Sequence, residues 1–290
     1  MGAPAKPGGL TGLRVLALES RRATEMAKLI ENYGGRAIVA PSMREVPLES
    51  NIEALEFARA LSGQSFDMVI FLTGVGARLL AKVAESIYPR EQFVAALRRI
   101  HAVARGPKPV AVLKELGVPV TLAVPEPNTW RDLLRALDEK SDSLPLAGKR
   151  VAVQEYGSSN AELIAGLQER GAVITRVPVY RWALPEDTGP LRNAVHAIAS
   201  GEIDVALFTT SVQVVHLLRL AAEMNLESRL RRGLERVAVG SIGPITSEEL
   251  REHGLLVDFE PEHPKMGFLV NEAARRGAAI VEKKRGSASI

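Results

Sequence analysis

The chain has 290 residues, of which 46% are apolar and 24% are charged, and its net charge is +3 at pH 7. These proportions are typical of globular proteins and exclude disordered, collagen-like and coiled-coil classes. No apolar run approaches the ~18 residues of a membrane-spanning helix, and the small positive charge with only 4% aromatic residues argues against a nucleic-acid partner.

The absence of cysteine excludes thiol catalysis, disulfides, iron–sulfur clusters and cysteine-bound zinc. The five histidines are scattered and show no metal-ligand spacing such as HExxH, so we expect no metal. The N-terminal stretch MGAPAKPGGL has one lysine and no apolar segment. It predicts a flexible leader rather than a secretory signal, and therefore a cytoplasmic protein.

Short apolar runs alternate along the chain with segments whose apolar residues recur at helical spacing. The runs predict buried strands at residues 13–18, 37–40, 68–71 and 102–104. Val75, Leu79 and Val83 lie at helical spacing, as do apolar residues in 163–167. This alternation predicts an α/β fold with parallel sheets that are flanked by helices.

The sequence also contains an internal repeat. The segment GLRVLALESRRATEMAKLIENYGGRAIVAP from Gly12 parallels GKRVAVQEYGSSNAELIAGLQERGAVITRVP from Gly148 at an offset of 136 residues. Later blocks continue at an offset of 137, which aligns Asp67 with Asp204 and Thr73 with Thr210. The repeat predicts two similar lobes.

Four loops place Gly, Ser or Thr between an apolar strand and a helix. They are FLTGVG (71–76), ARGPKP (104–109), FTTSVQ (208–213) and SIGPIT (241–246). Backbone N–H groups at such helix starts can bind anions, although helix capping explains each loop taken alone. None matches a nucleotide-binding signature. If the lobes face each other, the loops would line one cleft suited to an extended molecule with several carboxylates or phosphates.

Several motifs resemble, in their order and spacing, those of the uroporphyrinogen-III synthase family over residues 12–274. They are FLTGVGA, GPKPVAVLKELG, PEPNTW, VPVYRW, LFTTSVQVVHLL, VAVGSIGPITSEELREHG and HPKMGFLV. The resemblance implies that residues 10–41 join 181–276 in lobe 1 and that 42–177 form lobe 2. The lobes would be joined by a two-segment extended hinge, and residues 1–9 and 277–290 would be flexible tails.

The resemblance also implies an activity. The family closes hydroxymethylbilane, a linear tetrapyrrole with eight carboxylates, while it inverts the last pyrrole ring and releases water. It uses no cofactor or metal, and the implied transient donor of substrate is hydroxymethylbilane synthase. The alternative is a catalytically degenerate relative that senses a ligand or regulates by binding a polycarboxylate.

Tyr180 in VPVYRW matches the family's hinge tyrosine, which is its candidate for assisting loss of the hydroxyl. A phenol keeps its proton near neutral pH and can donate it to a departing oxygen. The alternative is a strand residue that fills a seam, because the repeat aligns Tyr180 with Met43, which has no hydroxyl.

The remaining candidates follow the strands or precede helices, and the resemblance implies that they bind substrate. They are Thr73, Gly74, Lys108, Thr129, Thr210, Ser211, Gly243, Thr246 and Lys265. Capping explains Thr73 and Thr210 equally well, and Lys108 could simply be solvated.

Overall fold

A computed structural model describes residues 8–48, 50–155, 157 and 159–287. The strands in this part of the chain are short and mostly apolar. They are β1 (Arg14–Ala17), β2 (Arg36–Val39), β3 (Arg44–Pro47), β4 (Met68–Phe71), β5 (His101–Ala104), β6 (Leu122–Ala123), β7 (Arg150–Gln154), β8 (Val173–Val177), β9 (Tyr180–Ala183), β10 (Val205–Phe208) and β11 (Ala238–Ser241).

Helices separate most of the strands. They are α1 (Ala23–Asn32), α2 (Ile52–Ser62), α3 (Gly74–Ala84), α4 (Arg90–Leu97), α5 (Pro107–Glu115), α6 (Trp130–Asp138), α7 (Ala161–Glu169), α8 (Gly189–Ala199), α9 (Ser211–Glu223), α10 (Glu227–Leu234), α11 (Pro244–Glu252) and α12 (Met266–Ser287). Among the described residues, no helix combines the length and apolar character that a membrane crossing requires.

The contacts divide the chain into two compact units. Unit 1 combines the residues up to Arg44 with those from Ala183 onward, and unit 2 spans Glu45–Trp182. The chain therefore passes between the units within β3 and within β9, which pair as a two-stranded sheet. The sequence placed these changes of lobe a few residues earlier, at 41/42 and at 177–181.

Each unit contains one parallel sheet. The strand order is β11-β10-β1-β2 in unit 1 and β6-β5-β4-β7-β8 in unit 2. Successive side chains of a strand point to opposite faces, so both faces of each sheet must be covered. Val69 and Phe71 of β4 pack into one apolar cluster of unit 2, and Met68 and Ile70 pack into the other. The predicted α/β fold with flanking helices is confirmed.

The sheets also explain the sequence repeat. In unit 2, β4 from the first repeat pairs with β7 from the second, and in unit 1 β10 pairs with β1 in the same way. The same hydrogen bond from an arginine backbone N–H to an aspartate carboxylate recurs at both junctions. The Arg150 backbone N–H donates to Asp67 Oδ2 at 2.8 Å, and the Arg14 N–H donates to Asp204 Oδ2 at 2.7 Å. Each sheet is thus assembled from one half of each repeat.

The predicted flexible tails need correction. Residues 277–287 continue α12, with Val281 buried in the apolar cluster that covers one face of the unit 1 sheet. Lys284 Nζ donates to the Val237 carbonyl at 2.8 Å, and Arg285 pairs with Asp204. A tail rich in Lys and Arg is therefore anchored by partners distant in sequence. Of the predicted leader, residues 1–7 lie outside the described residues, as do 288–290 at the other terminus.

Candidate functional site

Tyr180 and Thr73 meet at the carboxyl edge of the sheet in unit 2. Thr73 follows β4 and is the N-cap of α3, where its Oγ1 accepts the Gly76 N–H at 3.0 Å. Tyr180 begins β9, and its side chain is buried, with only 4% of the residue exposed. The two hydroxyl oxygens are 3.3 Å apart, within reach of a hydrogen bond in which either can donate. The hydrogen bond from Gly76 uses only a lone pair of Thr73 Oγ1, so the Thr73 hydroxyl can still donate its proton to the phenol oxygen.

A buried amide stands behind this pair. Gln154, the last residue of β7, is fully buried, and its Oε1 accepts the Thr73 N–H at 3.3 Å. A Cβ atom added at Gly76 would lie 1.9 Å from Gln154 Nε2. Gly76 therefore leaves the space that the glutamine side chain occupies, and no other residue type fits beside this rotamer.

Gly74 and Lys108 lie where the starts of α3 and α5 approach each other. A Cβ atom at Gly74 would come 2.8 Å from the Lys108 carbonyl oxygen, so close backbone approach is sufficient reason for this glycine. The Lys108 side chain is exposed in the first turn of α5. Thr73, Gly74, Lys108 and Tyr180 are therefore gathered at one edge of unit 2.

Thr129 has a different environment from that expected of a substrate-binding residue. It is the N-cap of α6 and forms a capping box, in which its Oγ1 accepts the Asp132 N–H and its own N–H donates to Asp132 Oδ2 at 2.9 Å. Its hydroxyl also donates to Asp132 Oδ2 at 2.7 Å. The one proton of the hydroxyl is thus used at the start of α6, which favours a capping role for Thr129 over substrate binding.

The Thr129→Ala substitution is expected to lower the free energy of unfolding by about 1 kcal/mol, since it removes a helix cap, and to leave substrate turnover unchanged. Thr129→Ser keeps the capping hydroxyl and is the matched control. Denaturant unfolding measures the first effect and turnover the second. A loss of turnover in Thr129→Ala without a loss of stability would return this residue to the site.

Thr210 and Ser211 begin α9 in unit 1, at the position equivalent to Thr73. Thr210 is the N-cap residue and half-buried, but its side chain makes no capping hydrogen bond. The polar contacts are made by its neighbour, because Thr209 Oγ1 donates to Glu19 Oε2 at 2.6 Å and accepts from Gln213 Nε2 at 2.8 Å. The capping explanation therefore holds for Thr73 but not for Thr210.

Gly243, Thr246 and Lys265 also lie in unit 1. Gly243 precedes α11, and a Cβ atom there would lie 3.3 Å from Pro264 Cβ. The starts of α11 and α12 therefore lie close together. Thr246 is buried in the first turn of α11, and Lys265 is exposed just before α12. These residues and Thr210 all follow strand ends or precede helices of unit 1.

His216 of α9 holds the segment that leads out of unit 1. Its Nδ1 is 2.7 Å from the Ser42 carbonyl oxygen, and Ser20 Oγ accepts the N–H groups of Ser42 and Met43. Burial lowers the pKa of His216 below its ordinary 6.5, the hydrogen bond to Ser42 opposes this, and the positive charge of Arg219 lowers it further. The ring is therefore kept neutral in the folded protein near neutral pH.

This lowered pKa predicts acid sensitivity. The unfolded chain binds the His216 proton at a higher pH than the folded protein does, so the free energy of unfolding falls as pH drops below 6.5 and levels off below the folded-state pKa. His216→Gln should flatten this part of the pH profile, whereas His196→Gln, at an exposed histidine of the same unit, should not. Urea unfolding of unit 1 between pH 5 and pH 8, followed by peptide-resolved hydrogen exchange, measures the difference, and identical profiles for His216→Gln and the parent protein would contradict the assignment.

The sequence and the fold both match one family of known proteins. The family model described as "Uroporphyrinogen-III synthase HemD" matches residues 24–271. The chain belongs to the uroporphyrinogen-III synthase family. A mutant uroporphyrinogen III synthase from the extremely thermophilic bacterium Thermus thermophilus is a close structural neighbour, with a TM-score of 0.70 and 25% identity over 94% of this chain and all of that one.

Two proteins with similar sequences to this chain have less well defined functions. A Bacillus subtilis protein named YjjA, which is uncharacterised, is 32% identical over 269 residues that cover 92% of this chain and 97% of that protein. A Methanothermobacter thermautotrophicus protein with the provisional name uroporphyrinogen-III synthase is 34% identical over 237 residues, which cover 81% of this chain and 87% of that one. The second relative supports membership of the synthase family, and neither adds a measured activity.

The sequence did not point to Gln154 and Gly76. The signal was a mismatch in the repeat, which aligns Gly76 with Gln213 and Gln154 with Leu18. The glutamine thus lies at the end of strand β7 in unit 2 and in helix α9 in unit 1. Within the described ranges, no three His, Asp or Glu side chains group in a way that could hold a metal ion.

Proposed function

We propose that this synthase-family protein converts hydroxymethylbilane into uroporphyrinogen III, with Tyr180 as the proton donor to the departing hydroxyl. The reaction makes it a carbon–oxygen lyase. The observation that carries the proposal is the placement of Tyr180, buried at the carboxyl edge of a parallel sheet and 3.3 Å from a second hydroxyl. Ligands of such sheets bind at this edge.

The first chemical step is loss of the hydroxyl group. The electron-rich terminal pyrrole pushes the C–O bond electrons onto oxygen, and the phenol of Tyr180 supplies the proton, so that water leaves and an azafulvene remains. The developing negative charge on the Tyr180 oxygen is stabilised by the hydroxyl of Thr73, which can donate to it. One positioned proton donor of this kind contributes about 10²-fold or more to a rate.

The second requirement is to hold a flexible substrate in a curl. The substituted carbon of the last ring attacks the azafulvene, and the resulting spiro intermediate fragments and recombines with loss of a proton. Little further acid–base assistance is needed, since most of the barrier is a matter of bringing the two ends together. This is why a protein without a conspicuous cluster of charged catalytic residues suits the reaction.

The substrate carboxylates need hydrogen-bond donors. At the edge of unit 2 these are the backbone N–H groups at the start of α3 and the backbone N–H and ammonium of Lys108, whose neighbours Pro107 and Pro109 carry no N–H. In unit 1 the corresponding donors are Thr210, Ser211, Thr246 and Lys265, with the backbone around Gly243. The partial positive charge at helix N-termini favours such anions.

The decisive experiment is an isomer assay. Hydroxymethylbilane is generated in place by hydroxymethylbilane synthase, the products are oxidised, and type I and type III porphyrins are separated. Uncatalysed closure gives the type I ring, so we expect an excess of type III that increases with the concentration of this protein. A product no richer in type III than the blank would disprove the proposed activity and favour a degenerate protein that only binds a polycarboxylate.

A further inference from the structure

The order of strands in unit 2 places Gln154 between the two groups of the candidate acid site. β7 lies between β4, which leads to Thr73, and β8, which leads towards Tyr180. Gln154 ends β7 and is fully buried at the same carboxyl edge. We propose that Gln154 is a positioning residue that holds Thr73 beside Tyr180, an inference that rests on the proposed synthase function.

The Gln154 amide contacts the start of α3 directly and the backbone at the end of its own strand. Gln154 Oε1 accepts the N–H of Thr73, the residue whose hydroxyl faces the phenol. Gln154 Nε2 donates to the carbonyl of Glu155, and the N–H of Glu155 donates to the Val177 carbonyl at 3.1 Å. Val177 is the last residue of β8 and lies three residues before Tyr180. The Gln154 side chain therefore fixes the Thr73 backbone to the end of β7, and the Glu155 backbone joins the end of β7 to the strand that leads to the phenol.

Gly76 is the other half of this arrangement. Its N–H donates to Thr73 Oγ1, and its missing side chain leaves the volume in which the Gln154 amide lies. Any Cβ at position 76 would displace the amide from Thr73. The glycine and the glutamine therefore act as a pair, since a side chain at position 76 or the loss of the Gln154 amide would each remove the hydrogen bond to the Thr73 N–H.

Unit 1 shows the opposite solution at the equivalent positions. There the amide comes from the helix, since Gln213 Nε2 donates to the Leu18 carbonyl at 3.1 Å, and the strand position carries Leu18 itself. Met43 occupies the place of Tyr180 in that unit. The fold thus accepts the amide from either element, and the strand-borne amide occurs in the unit that carries the phenol.

The test uses kinetics of type III formation with Gln154→Leu, which copies Leu18. We expect kcat to fall about three- to tenfold with KM within about twofold, because the donor pair is misaligned while the carboxylate-binding groups are untouched. A crystal structure of the variant should show Thr73 Oγ1 and Tyr180 Oη farther apart than 3.3 Å. Unchanged kcat, or an unchanged distance, would overturn the inference.

A double variant, in which the residues at positions 76 and 154 copy those of unit 1, distinguishes a positioning role of Gln154 from a packing role. Gly76→Gln alone should lower the thermal midpoint by at least about 2 °C, since two amides compete for one space. Gly76→Gln combined with Gln154→Leu copies unit 1, so the midpoint should recover while kcat stays low. Recovery of kcat together with stability would mean that Gln154 only fills space. If the parent protein itself forms no excess of type III, the proposed function fails, and the distance in the Gln154→Leu structure still tests the positioning.

Discussion

Replacing Tyr180 with phenylalanine is expected to lower the rate of type III ring closure about ten- to a hundredfold, which reaches only the low end of what one proton donor contributes, because the electron-rich pyrrole itself expels the hydroxyl. The substitution removes the hydroxyl that faces Thr73 and keeps the ring, which packs in the apolar cluster with Val177 and Val179. The free energy of unfolding should therefore change little. Initial rates at saturating substrate, with separation of the oxidised isomers, measure the effect.

Two further variants sharpen this prediction. Tyr180→Met copies Met43, the equivalent buried residue of unit 1, and should fold while it loses activity as Tyr180→Phe does. Tyr33→Phe is the matched control, because it removes a phenol hydroxyl that accepts from Asn271 Nδ2 at 3.0 Å in unit 1 and should leave the rate unchanged. Full activity of Tyr180→Phe with unaltered stability would make Tyr180 a packing residue only.

Much of the fold could be predicted because its strands are unbroken apolar runs. The predicted strand at 68–71 coincides with β4, and those at 13–18 and 102–104 overlap β1 and β5. Such runs are the pattern of strands buried on both faces. β3 is different, since it is short, partly charged and outside both large sheets, so no periodicity marked it.

The C-terminal helix shows what local sequence cannot provide. Residues 277–287 include the charged run Glu-Lys-Lys-Arg and were expected to belong to a flexible tail, yet they form the last part of α12. The anchors of this segment are Asp258, in the loop before α12, and Asp204, which is separated from α12 by five helices and strands. Ion pairs between residues so far apart in sequence can be predicted only once the fold is known.

The repeat predicted only part of the candidate site. Alignment made Thr73 and Thr210 equivalent, but the structure distinguishes them, because only Thr73 caps its helix and only Thr73 faces a phenol. Positions that carry the same residue in both repeats therefore reflect the shared fold. The differences between the repeats, Tyr180 against Met43 and Gln154 against Leu18, are where unit 2 acquired its own polar cluster.

The Asp204→Asn substitution is expected to lower the free energy of unfolding by about 2–3 kcal/mol. The Asp204 side chain is only 4% exposed and accepts from the Arg14 N–H, from Arg14 Nε and Nη2 at 3.0 Å, and from Arg285. An amide cannot replace a carboxylate that receives so many donors. The loss stays below that of a fully buried pair, because the Arg14 and Arg285 side chains remain partly solvated.

The equivalent substitution in unit 2 is the natural control. Asp67 accepts the Arg150 N–H in the same way, but its own side chain is 32% exposed, against 4% for Asp204. Asp67→Asn should therefore cost less than about 1 kcal/mol. Both tryptophans, Trp130 and Trp182, lie in unit 2, so fluorescence follows that unit, and peptide-resolved hydrogen exchange is needed to measure the loss in unit 1.

The pH dependence of this loss identifies its origin as the carboxylate charge. Burial alone would raise the pKa of Asp204, but hydrogen bonds from the Arg14 side chain and backbone and from Arg285 outweigh it, so the pKa lies below its ordinary 3.8. The charge therefore contributes its stability above pH 3.8 and loses it as pH falls through the folded-state pKa. The difference between the parent protein and Asp204→Asn should be constant above about pH 5 and shrink in acid. A difference that persists unchanged at pH 2 would show that shape, rather than charge, makes Asp204 necessary at this strand junction.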